Sequence, residues 1–224
     1  TAAIDRRYAR WYAVPDGGDL EVWVQIADRE AIVGLRLTDR TMRHRSDKAV
    51  NLPGSLRPTL AAAMISLAKS NDDDIFLDPM CGAGTLLLER ARVGRYKELL
   101  GGDIRPNAVA ATFDNLGSRY KPWRVRKWDA TRLPVDDSSV TQVVTNPPWG
   151  RQIGSKAELG SLYRGVFAEL DRVSRPGASI VILTSEWDTF KTALASQQSL
   201  VMTYQIRRVH VLGRIADIFV MLKT

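Results

Sequence analysis

Apolar positions change their period along the chain. Leu20, Val22, Val24 and Ile26 alternate with other residues, Ala27-Asp28-Arg29-Glu30 interrupts them, and Ile32 to Leu37 resumes the run. Two short alternating runs around a tight polar break predict a β-hairpin. A lone hairpin is too small to bury a core, so it is expected to lean on the main domain or to be the remnant of a larger region. Residues 39 to 55 are polar and basic, contain Pro53-Gly54, and have the composition of a linker. The expected division is therefore a hairpin and linker over 1–50 and one main domain over 51–224.

From Leu56 onward the period alternates between helix and strand. Ser55 is placed to cap a helix with Pro58 in its first turn and an apolar stripe of Leu60, Met64, Leu67 and Ala68. After the polar break Ser70 to Asp74, Ile75 to Leu77 form a short strand that runs into Asp78-Pro79-Met80-Cys81-Gly82-Ala83-Gly84-Thr85, and Leu86 to Val93 read as helix. A strand over Leu99 to Asp103, a helix over Pro106 to Leu116 stopped by Gly117, a strand over Val125 to Trp128 and a buried strand over Val140 to Val144 follow. Leu159, Leu162, Tyr163, Val166, Phe167, Leu170 and Val173 recur at helical spacing. Arg175-Pro176-Gly177 turns the chain into a strand over Ser179 to Thr184, and a helix near Asp188 to Ala195 comes next. The β-rich runs Tyr204 to Leu212 and Ile215 to Leu222 are separated only by Gly213-Arg214, too few residues for a parallel crossover, so they are antiparallel neighbours. The fold class is α/β, a parallel sheet closed by an antiparallel hairpin.

Composition narrows the chemistry. No apolar run approaches the roughly 18 residues that span a bilayer, and no signal-peptide pattern opens the chain. One cysteine and two histidines exclude a disulfide framework and argue against a protein-built zinc site, and a reducing, cytoplasmic setting is the default. The first residue is Thr, as expected of a fragment or a processed chain. The net charge of +7 favours an acidic partner such as nucleic acid. Positive residues cluster in three places: Arg40, Arg43, His44, Arg45 and Lys48; Arg119, Lys121, Arg124, Arg126, Lys127 and Arg132, interleaved with Trp123 and Trp128; and Arg207, Arg208, His210 and Arg214. Each alone is an ordinary solvated face. Convergence on one surface is needed to make a binding site.

Strand, glycine turn and helix in that order open a nucleotide-binding α/β unit, because Gly82 and Gly84 let the backbone approach a ligand closely. About twenty residues later a second strand ends in Asp103, the distance at which a carboxylate meets a ribose hydroxyl pair. The fourth strand delivers Asn146-Pro147-Pro148-Trp149-Gly150 to its carboxyl end, where ligands bind in open α/β sheets. Two prolines stiffen this corner and remove two N–H donors. The Asn146 amide oxygen and the Pro147 carbonyl can accept both hydrogens of a ring-borne amine while Trp149 stacks on the ring. Taken alone, the tetrapeptide also fits a proline-rich turn with a packed Trp, and Asp78 or Asp129 also fits a capping or surface carboxylate. Cys81 has no evident His partner and fits a small packed residue better than a nucleophile.

Asp78 to Thr85 resembles the DPxCGSGT motif of Rossmann-like methyltransferases that use S-adenosylmethionine, and Asn146 to Gly150 resembles the NPPY motif of amino-methyltransferases. The span from about Leu20 to Leu222 is similar to the THUMP-associated, UPF0020-like RNA guanosine N2-methyltransferases. The resemblance implies that Asp78, Pro79, Cys81, Gly82, Gly84 and Thr85 hold the methionine part of S-adenosylmethionine. It further implies that Asp103 with Ile104 meets the ribose, that Asp129 with Ala130 meets the adenine edge, and that Pro53, Leu56 and Thr59 close the pocket. Asn146, Pro147, Pro148 and Trp149 would carry catalysis on a flipped guanine of RNA, tRNA foremost, with Asn146 also bordering the cofactor. Trp149 departs from the usual Tyr or Phe. A complete THUMP domain is missing from this sequence, which implies truncation or an additional partner. The rival readings are an adenine N6-methyltransferase, a protein glutamine methyltransferase and a non-catalytic RNA-binding subunit.

Overall fold

The structure, a computed structural model, describes residues 6–12, 14, 18–36, 48–150, 155–211 and 213–224. The basic positions 40–45 therefore lie outside the described residues, as do Leu37 and Leu212 at the ends of two expected strands. The chain divides into two compact units, Thr1–Arg45 and Ser46–Thr224.

In the first unit β1 (Glu21–Ala27) and β2 (Glu30–Arg36) pair antiparallel from Ala27 opposite Glu30 to Glu21 opposite Arg36. Asp28 takes a positive φ of 51° in the two-residue turn between them, a conformation that Asp tolerates better than most residues.

The second unit is a seven-stranded sheet with helices on both faces. In chain order its elements are α1 (Pro58–Leu67), β3 (Ile75–Asp78), α2 (Thr85–Val93), β4 (Glu98–Asp103), α3 (Pro106–Leu116), β5 (Trp123–Lys127), β6 (Val140–Thr145), α4 (Lys156–Val173), β7 (Ser174–Thr184), α5 (Trp187–Ala195), β8 (Leu200–Val211) and β9 (Arg214–Lys223). The strand order is β5-β4-β3-β6-β7-β9-β8. Strands β3 to β7 run parallel, and β9 is antiparallel to both β7 and β8. Only β9 is reversed, because the last strand turns back from β8 and inserts beside β7.

Consecutive residues of the central strands point to opposite faces, so each strand feeds two cores. Leu77, Val143, Ile180, Ile182 and Phe219 pack with Tyr163, Phe167 and Leu170 of α4 and Phe190 of α5. Phe76, Val144, Val181, Leu183 and Ile218 pack with Met64 and Ile65 of α1 and Leu87 and Leu88 of α2. Every residue of β6 is buried, as covering on both faces requires.

Two local expectations are corrected, and one helix start that the sequence reading left open is fixed. Ser55 does not cap α1: its hydroxyl accepts the Leu52 N–H at 3.1 Å, and Arg57 is the cap position, with no side-chain bond. Ser155 caps α4, accepting the Glu158 N–H at 3.2 Å, which starts that helix three residues before its apolar stripe. Arg175-Pro176-Gly177 lies within β7 as an irregularity, since the pairing jumps from Val140–Ser174 to Gln142–Ser179. The hydrogen-bonding partner strand skips those residues, so proline costs no ladder bond there.

Candidate active site

The carboxyl ends of β3, β4 and β6 meet at one edge of the sheet, because these strands are neighbours and parallel. The glycine turn after β3 is built by residues distant in sequence. Gly82 and Gly84 hold φ of 55° and 73°, which favour glycine. Thr112 of α3 donates to the Gly82 carbonyl at 2.8 Å, and Asn115 donates to the Ala83 carbonyl at 2.8 Å. A β-carbon on Gly84 would stand 2.9 Å from the Thr112 methyl, whereas one on Gly82 would meet nothing within 4 Å. Gly84 is thus required for packing. Gly82 leaves open space at the strand end.

Asp103 binds back onto this turn. Its Oδ2 accepts the Gly82 N–H at 3.1 Å, and its Oδ1 accepts the Arg105 N–H at 3.0 Å and the Arg105 Nε–H at 3.2 Å. Three of its roughly four acceptor positions are filled. Beside it, Ile104 leaves 63% of its surface exposed, an apolar patch at the sheet edge.

Asp78 is only 2% exposed. Burial pushes its carboxyl up from 3.8 to about 7, opposed by hydrogen bonds from the Thr145 hydroxyl and the Met80 N–H, and reinforced by the charge of Asp103. Both bonds fall on Oδ1, at 2.9 and 3.3 Å, and Oδ2 has no partner among the described residues. Cys81 is buried against the Thr112 hydroxyl, and burial raises its thiol well above the ordinary value, which fits a packed residue and not a nucleophile. Thr85 accepts from the Lys48 ammonium at 2.6 Å, and burial in turn lowers the Lys48 pKa.

Asp129 is exposed and its Oδ1 accepts from the Thr131 N–H and hydroxyl at 2.9 and 2.8 Å. Ala130 is buried. Leu56 belongs to the core beneath α1, whereas Pro53 and Thr59 are exposed.

At the end of β6 the Asn146 Oδ1 is buried and has no hydrogen-bond partner among the described residues. A buried amide oxygen left unpaired costs about 1–3 kcal/mol, so its place at this edge calls for an incoming donor. The Pro147 carbonyl likewise accepts no bond from a described residue. The rest of the corner is fastened. Tyr163 donates to the Pro148 carbonyl at 3.4 Å, and the Trp149 indole N–H donates to the Leu183 carbonyl at 3.4 Å. The Arg214 guanidinium covers the Trp149 ring, 5.4 Å from its centroid. The indole is half-buried against the core, with one face already occupied.

Sequence reasoning missed four contributors. Gly101 and Gly102 of β4 have no room for a side chain: β-carbons there would lie 2.6 Å from Leu87 Cδ1 and 2.2 Å from the Trp128 ring. Glu186 and Arg214 reach the Trp149-Gly150 end of the corner from the turn after β7 and from the first residue of β9. For the last of these the sequence offered the tight Gly213-Arg214 turn and membership of the third basic cluster, neither of which ties it to Trp149.

The basic clusters are divided. Arg119 to Arg132 flank the edge strand β5, and Arg207, Arg208 and His210 lie on the opposite edge strand β8, all exposed. Six strand spacings separate those edges, roughly 29 Å along the sheet. Because β8 runs in the same sense as β7, both clusters extend toward the sheet's carboxyl edge, one on each flank of the Asn146 corner.

Among the described residues no helix is long and apolar enough to cross a membrane. The chain is 32% identical over 220 residues to the mouse protein named tRNA (guanine(6)-N(2))-methyltransferase THUMP3, covering 92% of this chain and 42% of the relative. It is 33% identical over 181 residues to the tRNA (guanine(6)-N2)-methyltransferase of Thermus thermophilus, covering 78% of this chain and 52% of that protein. The chain thus spans about half or less of the length of these curated relatives. The crystal structure of TrmN from Thermus thermophilus superimposes with a TM-score of 0.82 at 27% identity, over all of this chain and 65% of that one. The family described as UPF0020, RMKL-like methyltransferase domain, matches residues 45–216. With the Rossmann-like sheet and both motifs in place at one edge, the chain belongs to this family of methyltransferase domains.

Proposed function

We propose that the chain carries the catalytic domain of an RNA methyltransferase that uses S-adenosylmethionine to methylate N2 of guanine, with tRNA as substrate. The observation that carries this reading is the buried, unpaired Asn146 Oδ1 beside the glycine turn. The names of the relatives, both guanine N2-methyltransferases of tRNA, supply the base and the RNA class.

The residues suit the cofactor. Gly82 leaves space at the strand end, Asp78 keeps a free carboxylate oxygen for an ammonium group, and Ile104 offers an exposed apolar surface for a flat ring. In this assignment Asp78, Pro79, Cys81, Gly82, Gly84 and Thr85 form the cradle for the methionine part. Asp103 keeps one acceptor position for the ribose, and Asp129 with Ala130 borders the adenine. The exposed Pro53 and Thr59 remain candidates for pocket closure, whereas Leu56 acts through the core.

S-adenosylmethionine supplies an electrophilic methyl group. Asn146 Oδ1 and the Pro147 carbonyl accept the two hydrogens of the guanine amine, which localises a nitrogen lone pair otherwise delocalised into the ring and aims it. Alignment of this kind lowers barriers by on the order of 7–11 kcal/mol. The methylated amine is acidic and loses its proton to water, so no side-chain base is needed. Trp149 contributes an edge or its uncovered face, since Arg214 lies on the other. Within residues 1–50 the hairpin serves RNA capture, whereas Lys48 and Val50 bond to Thr85 and Asn115 and so join residues 51–224 in methyl transfer.

The test is mass analysis of nucleosides from tRNA incubated with labelled cofactor and the full-length protein. The expected product is N2-methylguanosine; label on adenosine, or on protein alone, overturns the reading.

A further inference from the structure

Glu186 stands at the cap position of α5, yet its side chain makes no cap bond to the helix. The carboxylate lies instead against the end of the catalytic corner: a β-carbon on Gly150 would be 3.3 Å from its Oε1 and 3.6 Å from its Oε2. Oε1 accepts from the Ser185 hydroxyl at 3.2 Å and from Arg214 Nη2 at 3.4 Å. Oε2 has no partner among the described residues, and the side chain is 24% exposed. Arg214 completes the arrangement by donating through Nη1 to the Trp149 carbonyl at 3.4 Å while its guanidinium covers the indole. An accepting group is therefore held by long contacts in the turn that follows β7, the strand next to that of Asn146, with one oxygen uncommitted among the described residues.

The chemistry of a base presented at this edge gives that oxygen a use. In guanine the ring nitrogen beside the amine-bearing carbon carries a hydrogen; in adenine the ring nitrogen beside the corresponding carbon carries a lone pair. A carboxylate accepts from the first and is repelled by the second. We propose that Glu186 is a specificity-determining residue that accepts the ring N–H beside the amine and so selects guanine, with Arg214 as its positioning residue. This inference rests on the guanine N2 reading above. It assigns to Glu186 the choice of base, and leaves to Asn146 and Pro147 the handling of the amine.

The decisive substrate is tRNA in which 2,6-diaminopurine replaces the methylated guanine, with the opposing nucleotide changed to uridine where it is paired. This base keeps the 2-amino group and replaces the neighbouring ring N–H by a lone pair. The full-length wild-type protein is expected to favour guanine over diaminopurine by about ten- to a hundredfold in kcat/KM, the range of one good base contact. Glu186→Gln, whose amide can turn either an acceptor or a donor to the base, should bring that ratio to within about threefold with cofactor affinity unchanged, and Glu186→Asp should restore the preference at lower kcat. A merely structural role would lower both substrates together and leave the ratio alone. A wild-type ratio near one overturns the inference without any variant, as does a Glu186→Gln ratio equal to wild type. Wild-type protein that methylates adenine, or no base, fails the guanine N2 reading itself and takes the inference with it.

Discussion

The indole N–H of Trp128 donates to the carbonyl of Pro79 at 2.8 Å, tying the end of the third parallel strand to the turn after the first. The ring fills the space over Gly102, where a β-carbon would stand 2.2 Å from it and 2.5 Å from the Arg126 carbonyl. Gly102→Ala is therefore expected to cost at least about 1–3 kcal/mol through overpacking. Trp128→Phe should cost about 1 kcal/mol for the lost bond, plus the lost packing. Denaturant midpoints of both variants check the order: a Gly102→Ala variant as stable as wild type would mean that the strand yields freely.

Asn146→Ala separates activity from stability. Loss of the amide acceptor should lower kcat by about 10²–10³-fold, as the removal of one positioned polar partner does in other enzymes. Its Oδ1 has no partner to lose among the described residues, and its removal relieves the cost of an unpaired acceptor, so the unfolding free energy should hold or rise by up to about 1–3 kcal/mol. Calorimetric titration with S-adenosylmethionine should give near-normal affinity. Turnover close to wild type would remove Asn146 from catalysis.

Asp78 sets a pH dependence. Its carboxyl ionises near 3.8 when unfolded and near 7 in the buried folded site. Between those values the folded state holds a proton that the unfolded state has released, so this group's contribution to stability is full below 3.8 and declines as pH rises to about 7. Asp78→Asn should flatten that part of a melting-temperature profile. If the ionised carboxylate meets the cofactor's ammonium group, affinity should rise about tenfold per pH unit up to 7 and then level. A flat affinity profile would remove that contact.

Arg90 is fully buried. It donates to Asp74 Oδ2 at 2.9 Å, to Gln142 Oε1 at 3.1 Å and to the carbonyls of Asn71 and Arg95. Arg90→Met leaves the Asp74 carboxylate buried without its cation and should destabilise by about 3–5 kcal/mol. Cofactor affinity of the folded fraction, read at low temperature, should be unchanged.

The two basic flanks predict a steep salt response. Each phosphate neutralised contributes a slope of about −0.7 to −0.9 in log K against log salt. Charge reversal at Arg126 and Lys127, or at Arg207 and Arg208, should each reduce the slope measured with tRNA. A slope untouched by either pair would place the RNA elsewhere.

Much of this architecture is legible locally because single residues punctuate it. Pro106 and Gly117 bound α3 as expected, since proline suits the first helical turn and Gly117 adopts a positive φ of 53°. Both motifs and the sense of the last hairpin follow from spacing in the same way. Ser55 misled because a hydroxyl near a helix start has more than one N–H within reach. The Ser155–Glu158 pair shows the true signature, a Ser with Glu three residues on. What stayed hidden depends on strand order. Gly101 and Gly102 become necessary only when Trp128 and Leu87 are laid over them, and Glu186 and Arg214 join the corner only because β7 and β9 are neighbours. Even Asp103, placed correctly at a strand end, has its bond to Gly82, which no spacing announces.

The insertion of β9 between β7 and β8 makes synthesis and competence successive events. While the ribosome is still adding the residues after Arg214, the ladder on β7 that Ile218 to Leu222 will occupy has no occupant, and the guanidinium that covers Trp149 has no fixed seat. A nascent chain can thus fold its helices and strands β3 to β7, yet it acquires a finished edge around Asn146 only when β9 slides home. Stop codons or frameshifts that remove β9 should then yield inert polypeptides with an open hydrophobic slot, ready prey for quality-control proteases.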